Sequence, residues 1–169
     1  MTDYSNFKYY LKKEQNEEAR EYLNAWYKEQ FPDFEIKVID YESENGNYLQ
    51  HNGVDVILYK KNKYGGIEKQ YWVQEKIVFA QYSKLMFEYK KASGAEGWAI
   101  DRLEKADLLV YYHDKKIYLM QYREVRAYIR ENLSLLKARY AFKTDNYNVN
   151  VPIKVLENSI KIKSYFQKG

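Results

Sequence analysis

GVDVILYKKNKYGGIEKQYWVQEKIVF, residues 53–79, contains two runs of branched and aromatic residues separated by a turn-forming segment. The first run is GVDVILYKK, the second is KQYWVQEKIVF, and the intervening NKYGG is typical of a β-hairpin. Side chains alternate between the two faces of a strand, so Asp55 points away from the valines on either side of it. Gln74 and Lys76 share one face of the second run, and Glu75 lies on the other among apolar neighbours. Pairing of the two runs would bring Asp55 beside Gln74 and Lys76.

An acid and an amide oxygen on one face of a sheet can hold a metal ion, and a lysine on the same face places a positive charge beside that ion. Carboxylate and amide oxygens suit hard ions such as Mg²⁺ or Mn²⁺. Such an ion polarises a phosphate and lowers the pKa of a bound water, while a neighbouring lysine orients that water or stabilises developing charge. This arrangement suits phosphodiester hydrolysis, and a satisfied acid–lysine pair at a sheet edge is the alternative interpretation of the same residues.

The composition limits the other classes of site. The chain has 169 residues, which predicts a single domain over 1–169. It has no cysteine, which excludes disulfides and thiolate metal sites, and its two histidines do not favour a multi-histidine zinc site. The net charge of +4 permits contact with nucleic acid without requiring it. No apolar run reaches the roughly 18 residues of a membrane span, so we predict a cytoplasmic protein with no membrane association.

Periodicity along the rest of the chain predicts a mixed α+β domain, with a central mixed β-sheet flanked by helices. Most of its strands are expected to be antiparallel. The segment 83–92 is ambiguous, and 98–106 is expected to be a short helix or an irregular turn. The other predicted elements are helices at 16–30 and 123–140, strands at 34–41, 53–61, 69–79, 107–114 and 115–122, a loop at 42–52, a last strand and turn at 148–160, and a tail at 161–169.

Several segments resemble, in order, those of PD-(D/E)xK nuclease-like proteins of phages and bacteria. These segments are LQHNGVDVIL, VQEKIVF, MFEYKKA, GWAIDRLEKADLLVYY and KKIYLMQYREVRAYI, and the resemblance covers roughly residues 48–130. The motif of one Asp followed by (D/E)-x-K is short, and the ordered set with its Gly-Trp and ADLLVYY is more specific. The resemblance implies a restriction-endonuclease-like core and metal-dependent cleavage of DNA.

Carried over by position, the resemblance makes Asp55 the metal-binding aspartate and Lys76 the catalytic lysine. The acid of the motif falls on Gln74, whose oxygen can bind a metal but brings no charge. Either the metal affinity is then lower or another acid must help. Glu75 is one possibility, if a β-bulge swings it into the site or if it otherwise has its own partner, and Glu88 is the second.

A basic stripe on the predicted helix 123–140 is the expected nucleic-acid contact. Arg123, Arg126 and Arg130 recur at helical spacing and could follow a phosphate backbone. A solvated helix face is the alternative for these residues. Gln50 could also line the pocket, and the first-helix acids Glu18 and Glu29 are further candidates for its carboxylates.

These observations predict a metal-dependent deoxyribonuclease, phage or mobile-element encoded, that uses Mg²⁺ or Mn²⁺ and has DNA as its partner. The rival prediction keeps the fold and loses catalysis, which leaves a nucleic-acid-binding or protein-binding module, for example an anti-defence inhibitor. Gln74 at the acid position favours this rival. A homodimer or a protein partner is a further expectation.

Overall fold

The computed structural model describes residues 4–40, 43–78, 83–101, 104–113 and 115–166, with the backbone alone for 4–16, 44, 47, 50 and 51. The described residues form four helices and nine strands. These are α1 Tyr4–Gln30, β1 Glu35–Val38, α2 Glu44–His51, β2 Val56–Lys61, β3 Ile67–Val78, β4 Lys84–Lys90, β5 Leu108–His113, β6 Lys116–Gln121, α3 Tyr122–Tyr140, β7 Ala141–Lys143, β8 Tyr147–Pro152, α4 Ile153–Glu157 and β9 Ile162–Phe166.

Six of the strands form one mixed sheet in the order β1-β2-β3-β5-β6-β9. β3 and β5 are parallel, and the other neighbouring pairs are antiparallel. A second, antiparallel sheet has the order β4-β8-β7. The predicted mixed α+β class with a central mixed sheet is confirmed, as are the hairpins β2–β3 and β5–β6. Gly65, at φ +83°, supplies the left-handed conformation in the first of these turns.

The centre of the large sheet is covered on both faces, and every residue of β5 is buried. One face packs on α1 through a cluster that includes Leu23, Tyr27, Val56 and Val73. The other face packs on α3 and on the second sheet through a larger cluster that includes Phe87. A polar side chain on β3 therefore meets either α1 or the α3 side, according to its parity in the strand.

Helix α1 is longer than the sequence pattern predicts, because it begins at Tyr4 and not near Asn16. The predicted apolar stripe is present: Ala19, Leu23 and Tyr27 are buried against the sheet. The Phe-Pro-Asp-Phe segment that follows ends the helix as expected.

The predicted loop at 42–52 is wrong over residues 44–51, which form α2. Ser43 caps this helix, because its Oγ accepts a hydrogen bond from the Gly46 N–H at 3.0 Å. A Cβ on Gly46 would lie 1.6 Å from the Asp40 carbonyl oxygen, so only glycine allows this approach. The two asparagines and the glycine of α2 favour turns, which is why its sequence resembles a loop.

The predicted C-terminal tail is also wrong, since 162–166 forms β9 against β6. Tyr165 of β9 packs its ring 5.3 Å from that of Trp26, which connects the strand to α1. The ambiguous segment at 83–92 contains β4 of the second sheet. Residues 98–100 form a turn and residues 101 and 104–107 are irregular, and we call 98–101 with 104–107 the irregular segment. None of the described helices is long and apolar enough to cross a membrane.

Candidate functional site

Asp55 lies immediately before β2 and is attached to β3 at two points. Its backbone N–H donates to the Val73 carbonyl at 2.8 Å, and its Oδ2 accepts from the Glu75 N–H at 2.7 Å. Burial raises the pKa of Asp55, while the Glu75 amide and the Lys76 ammonium act in the opposite direction. The carboxylate is therefore held in one orientation and interacts with the Lys76 charge.

Gln74 and Lys76 lie on the face of β3 that is turned away from α1, as the alternation predicts. Gln74 is only 4 % exposed. The Lys76 Nζ lies 4.5 Å from the centre of the Trp98 ring, a cation–π contact. Burial lowers the pKa of Lys76, and the charges of Asp55, Glu104 and Glu88 oppose this shift. The structure thus brings the predicted aspartate, glutamine and lysine together.

Glu104, which the sequence patterns did not single out, lies at the same place. Its Oε2 is 1.6 Å from the position that a Cβ on Gly53 would occupy, and Gln74 Nε2 is 3.1 Å from that position. Gly53 has φ +69°, so it is required both for its backbone conformation and for the space it leaves. Burial, followed by the neighbouring charge of Asp101, raises the pKa of Glu104 to about 7.

Asp55, Gln74, Lys76 and Glu104 form a group that we call the cluster. Two of its buried oxygens, Gln74 Oε1 and Glu104 Oε2, have no hydrogen-bond partner among the described residues. An unpaired buried polar atom destabilises a fold by about 1–3 kcal/mol, so such atoms in native proteins require an explanation. Both belong to side chains that approach the same point above Gly53, Glu104 through Oε2 and Gln74 through Nε2.

Glu75 does not join this cluster. On the α1 face of the sheet, its carboxylate accepts hydrogen bonds from Arg20 Nη1 and Nη2 and from the Tyr27 hydroxyl, the last at 2.8 Å. No bulge turns it round, because β3 pairs with β5 in unbroken register from Val73 to Val78. The expectation that Glu75 binds the metal is thus corrected, and its own partners account for its burial.

Glu88, the second predicted helper, lies on β4 at the margin of the cluster. Its charge acts on Lys76, but its Oε2 accepts a hydrogen bond from Asn146 Nδ2 at 2.7 Å. Glu18 and Glu29 are exposed on α1, which covers the opposite face of the sheet. The Gln50 side chain lies outside the described residues.

The predicted arginine stripe is not a free phosphate-binding surface, because two of its three members hold the chain that carries Glu104. Arg126 donates to the Asp101 and Glu104 carbonyls at 2.8 and 3.2 Å. Arg130 donates from Nε to the Ile100 carbonyl at 2.7 Å and pairs with the Glu96 carboxylate. Arg123 is exposed. Helical spacing places Arg126 and Arg130 on one face of α3, and that face is covered by the irregular segment.

Another surface combines lysines with aromatic rings, and we call it the basic–aromatic patch. It consists of Tyr89, Lys90, Lys137, Lys143 and Tyr147. The two tyrosine rings are 6.3 Å apart between centres. The lysines are exposed, with Nζ atoms 5.2–5.6 Å from the ring centres of the two tyrosines. Lys91, the residue that follows β4, opposes the raised pKa of Glu104, so its charge acts on that carboxylate.

The oxygen donors of the cluster fit a hard divalent ion. Asp55 and Glu104 provide carboxylates and Gln74 an amide, the ligand types of Mg²⁺ and Mn²⁺. No group of three or more His, Cys, Asp or Glu side chains that could hold a metal occurs in the described part of the chain. Two acids with one amide stay below that number, and the unpaired oxygens of Gln74 and Glu104 are the observation that favours an ion.

Comparisons with family models, with curated proteins and with solved structures found no match. The resemblance to PD-(D/E)xK nucleases stays a prediction from the sequence, and the function has to be argued from the cluster itself.

Proposed function

We propose that this protein is a metal-dependent nuclease that hydrolyses phosphodiester bonds of DNA, on a restriction-endonuclease-like core. One observation carries the proposal: Asp55, Gln74 and Lys76 share a face of adjoining strands, and the buried Gln74 Oε1 has no hydrogen-bond partner among the described residues. A fold that served stability alone would have little use for this arrangement, because an apolar residue at position 74 would remove the unpaired oxygen. The phage or mobile-element origin and the cytoplasmic location remain predictions.

The side chains have separate roles in this proposal. Asp55 and Gln74 hold Mg²⁺ or Mn²⁺ through their oxygens, and the Glu75 N–H fixes the Asp55 carboxylate for this purpose. When bound, such an ion would supply polarisation of the phosphate and a lowered pKa for a water. Lys76 orients that water or donates to a phosphate oxygen, and the Trp98 ring keeps its ammonium in place. Burial lowers the pKa of Lys76, so Nζ exchanges a proton more readily than an exposed lysine does.

The basic–aromatic patch is the surface that we propose for the DNA strand. Its exposed lysines supply the charge that phosphates require, and its two tyrosines offer rings on which unpaired bases stack. Arg126 and Arg130 do not take this role, because both are engaged with backbone carbonyls of the irregular segment.

Cleavage of supercoiled plasmid tests the proposal. The wild type should nick or linearise plasmid with Mg²⁺ or Mn²⁺ and be inactive with EDTA. Asp55→Asn and Lys76→Met should each lower the rate by about 100-fold or more, the loss typical of removing an electrostatic group from a site. Lys69→Met is the matched control, since Lys69 is exposed on the same strand. Equal cleavage by the wild type and both variants would contradict the proposal.

The second function that an observation favours is a nucleic-acid-binding module without catalysis. Gln74 leaves the motif without its usual charge, and the basic–aromatic patch does not depend on the cluster. In the same samples, retention of single-stranded or duplex DNA with no cleaved product under either metal supports this function. Replacement of Lys90, Lys137 and Lys143 by Gln should then reduce the slope of affinity against salt concentration.

A further inference from the structure

The proposed ion site lacks negative charge if it consists of Asp55 and Gln74 alone. A divalent ion would then meet one carboxylate, one neutral amide and the positive Lys76. Affinity for such ions depends on the number of charged ligands, so this site would bind weakly. We propose that Glu104 is the second carboxylate ligand, which takes the role of the acid that Gln74 replaces. This inference rests on the proposed function.

Gly53 shows how closely Glu104 approaches the cluster. The Glu104 Oε2 and the Gln74 Nε2 both lie within 3.1 Å of the point where a Cβ on Gly53 would be. The Gln74 side chain is 4 % exposed, and its Oε1 is unpaired within the described part of the chain. The Glu104 carboxylate and the Gln74 amide therefore both approach the space above Gly53, which is two residues from Asp55.

Hydrogen bonds to other segments hold the backbone around Glu104 in place. The Lys105 N–H donates to the Asn52 carbonyl at 3.1 Å, directly beside Gly53. Arg126 holds the carbonyls of Asp101 and Glu104 from the side of α3. These bonds attach the backbone while the Glu104 side chain enters the cluster, which is the arrangement that a ligand needs.

The other acids considered for this role already have partners. Both oxygens of Glu75 are hydrogen-bonded on the opposite face. Glu88 accepts from Asn146. Glu104 Oε2 is buried and, among the described residues, accepts no hydrogen bond. Of the three carboxylates, that of Glu104 has the buried oxygen that a cation would complete.

Calorimetric titration of the full-length protein with Mn²⁺ tests this inference without relying on activity. Glu104→Gln should weaken Mn²⁺ binding by at least about tenfold, since each carboxylate ligand contributes charge to the site. Asp55→Asn should weaken it similarly, and Glu88→Gln should have little effect. Glu68→Gln, the same chemical change at an exposed position of β3, is the control.

A charge-restoring variant separates the ligand role from a structural role. Gln74→Glu in the Glu104→Gln background should recover most of the Mn²⁺ affinity, which a merely structural Glu104 would not allow. Thermal melts with EDTA confirm that each variant is folded. Wild-type affinity in Glu104→Gln, together with loss in Asp55→Asn, overturns the inference and leaves the proposed function intact. Unchanged affinity in both overturns the metal site itself.

Discussion

Strand β3 carries two buried polar positions, one after the other, on opposite faces. Glu75 is 8 % exposed, and both of its carboxylate oxygens are hydrogen-bonded by Arg20 and Tyr27. Gln74 is 4 % exposed, and its Oε1 has no partner in the described residues. The two side chains are buried to nearly the same extent, but only Glu75 has every side-chain oxygen hydrogen-bonded within the part of the chain that the structure describes. A buried polar side chain whose neighbours complete its bonds maintains the fold, whereas one left incomplete requires an explanation, and for Gln74 we propose a bound ion.

Glu75→Ala should have the largest effect on stability. It leaves Arg20, whose side chain is 27 % exposed, without its counter-charge. Removal of one partner from a buried pair lowers the free energy of unfolding by about 3–5 kcal/mol. Because Arg20 is partly exposed, we expect a loss of about 3 kcal/mol. Urea denaturation followed by circular dichroism measures this loss. The exposed Glu68→Ala on the same strand should change the free energy of unfolding by less than about 0.5 kcal/mol. If Glu75→Ala lowers the free energy of unfolding by less than about 1 kcal/mol, the Arg20–Glu75 pair contributes no more than a surface ion pair does.

Gly53→Ala should lower the free energy of unfolding by about 2 kcal/mol, because it combines positive-φ strain with contact against Glu104. The double variant with Glu104→Ala should recover the steric part and leave about 1 kcal/mol of backbone strain. Denaturant midpoints of the wild type, both single variants and the double variant complete the cycle. If the losses of the two single variants simply add up to that of the double variant, the Cβ added at Gly53 does not contact Glu104.

Tyr27→Phe should cost about 1.5 kcal/mol, since it removes a buried hydrogen bond to a charged carboxylate and little else. Tyr22→Phe is the matched control, because its hydroxyl makes a 3.3 Å exposed contact with the Lys115 carbonyl. The same denaturation experiment compares them. Equal losses in the two variants would show that the Glu75 network does not depend on this hydroxyl.

Gln74→Met should change the stability least, by less than about 0.5 kcal/mol, because an apolar side chain of similar length replaces an amide whose oxygen is unpaired. The same variant should weaken Mn²⁺ binding in calorimetry. A loss as large as that of Tyr27→Phe would mean that the amide contributes to the fold as the Glu75 carboxylate does, and the contrast between the two faces would not hold.

The sequence predicted the part of this contrast that depends on local periodicity. The NKYGG turn and the two-residue period of the flanking strands were enough to put Asp55, Gln74 and Lys76 on one face and Glu75 on the other. They could not identify the partners of Glu75. Arg20 and Tyr27 come from α1, and their approach depends on how that helix crosses the sheet.

Glu104 could not be found by the same reasoning. It lies in irregular chain between Trp98 and β5, where no period assigns a direction to a side chain. Its contact with Gly53 depends on bonds that Arg126 makes from α3, so three separate segments have to be placed first. Arg126 and Arg130 were misassigned for the same reason, because helical spacing gives their common face but not what covers it.

The parallel pairing of β3 with β5 leaves room for change in this protein. Parallel neighbours cannot be joined by a tight turn, so after β3 the chain must leave the sheet and cross back against the strand direction before β5 starts beside Val73. That detour carries Glu88, Trp98 and Glu104, while Asp55, Gln74 and Lys76 belong to the sheet itself. Insertions or deletions in the detour would leave the strand register unchanged and would alter the walls around the proposed ion site. Under the proposed function, such changes would alter substrate preference while the hydrogen-bonded sheet stays constant.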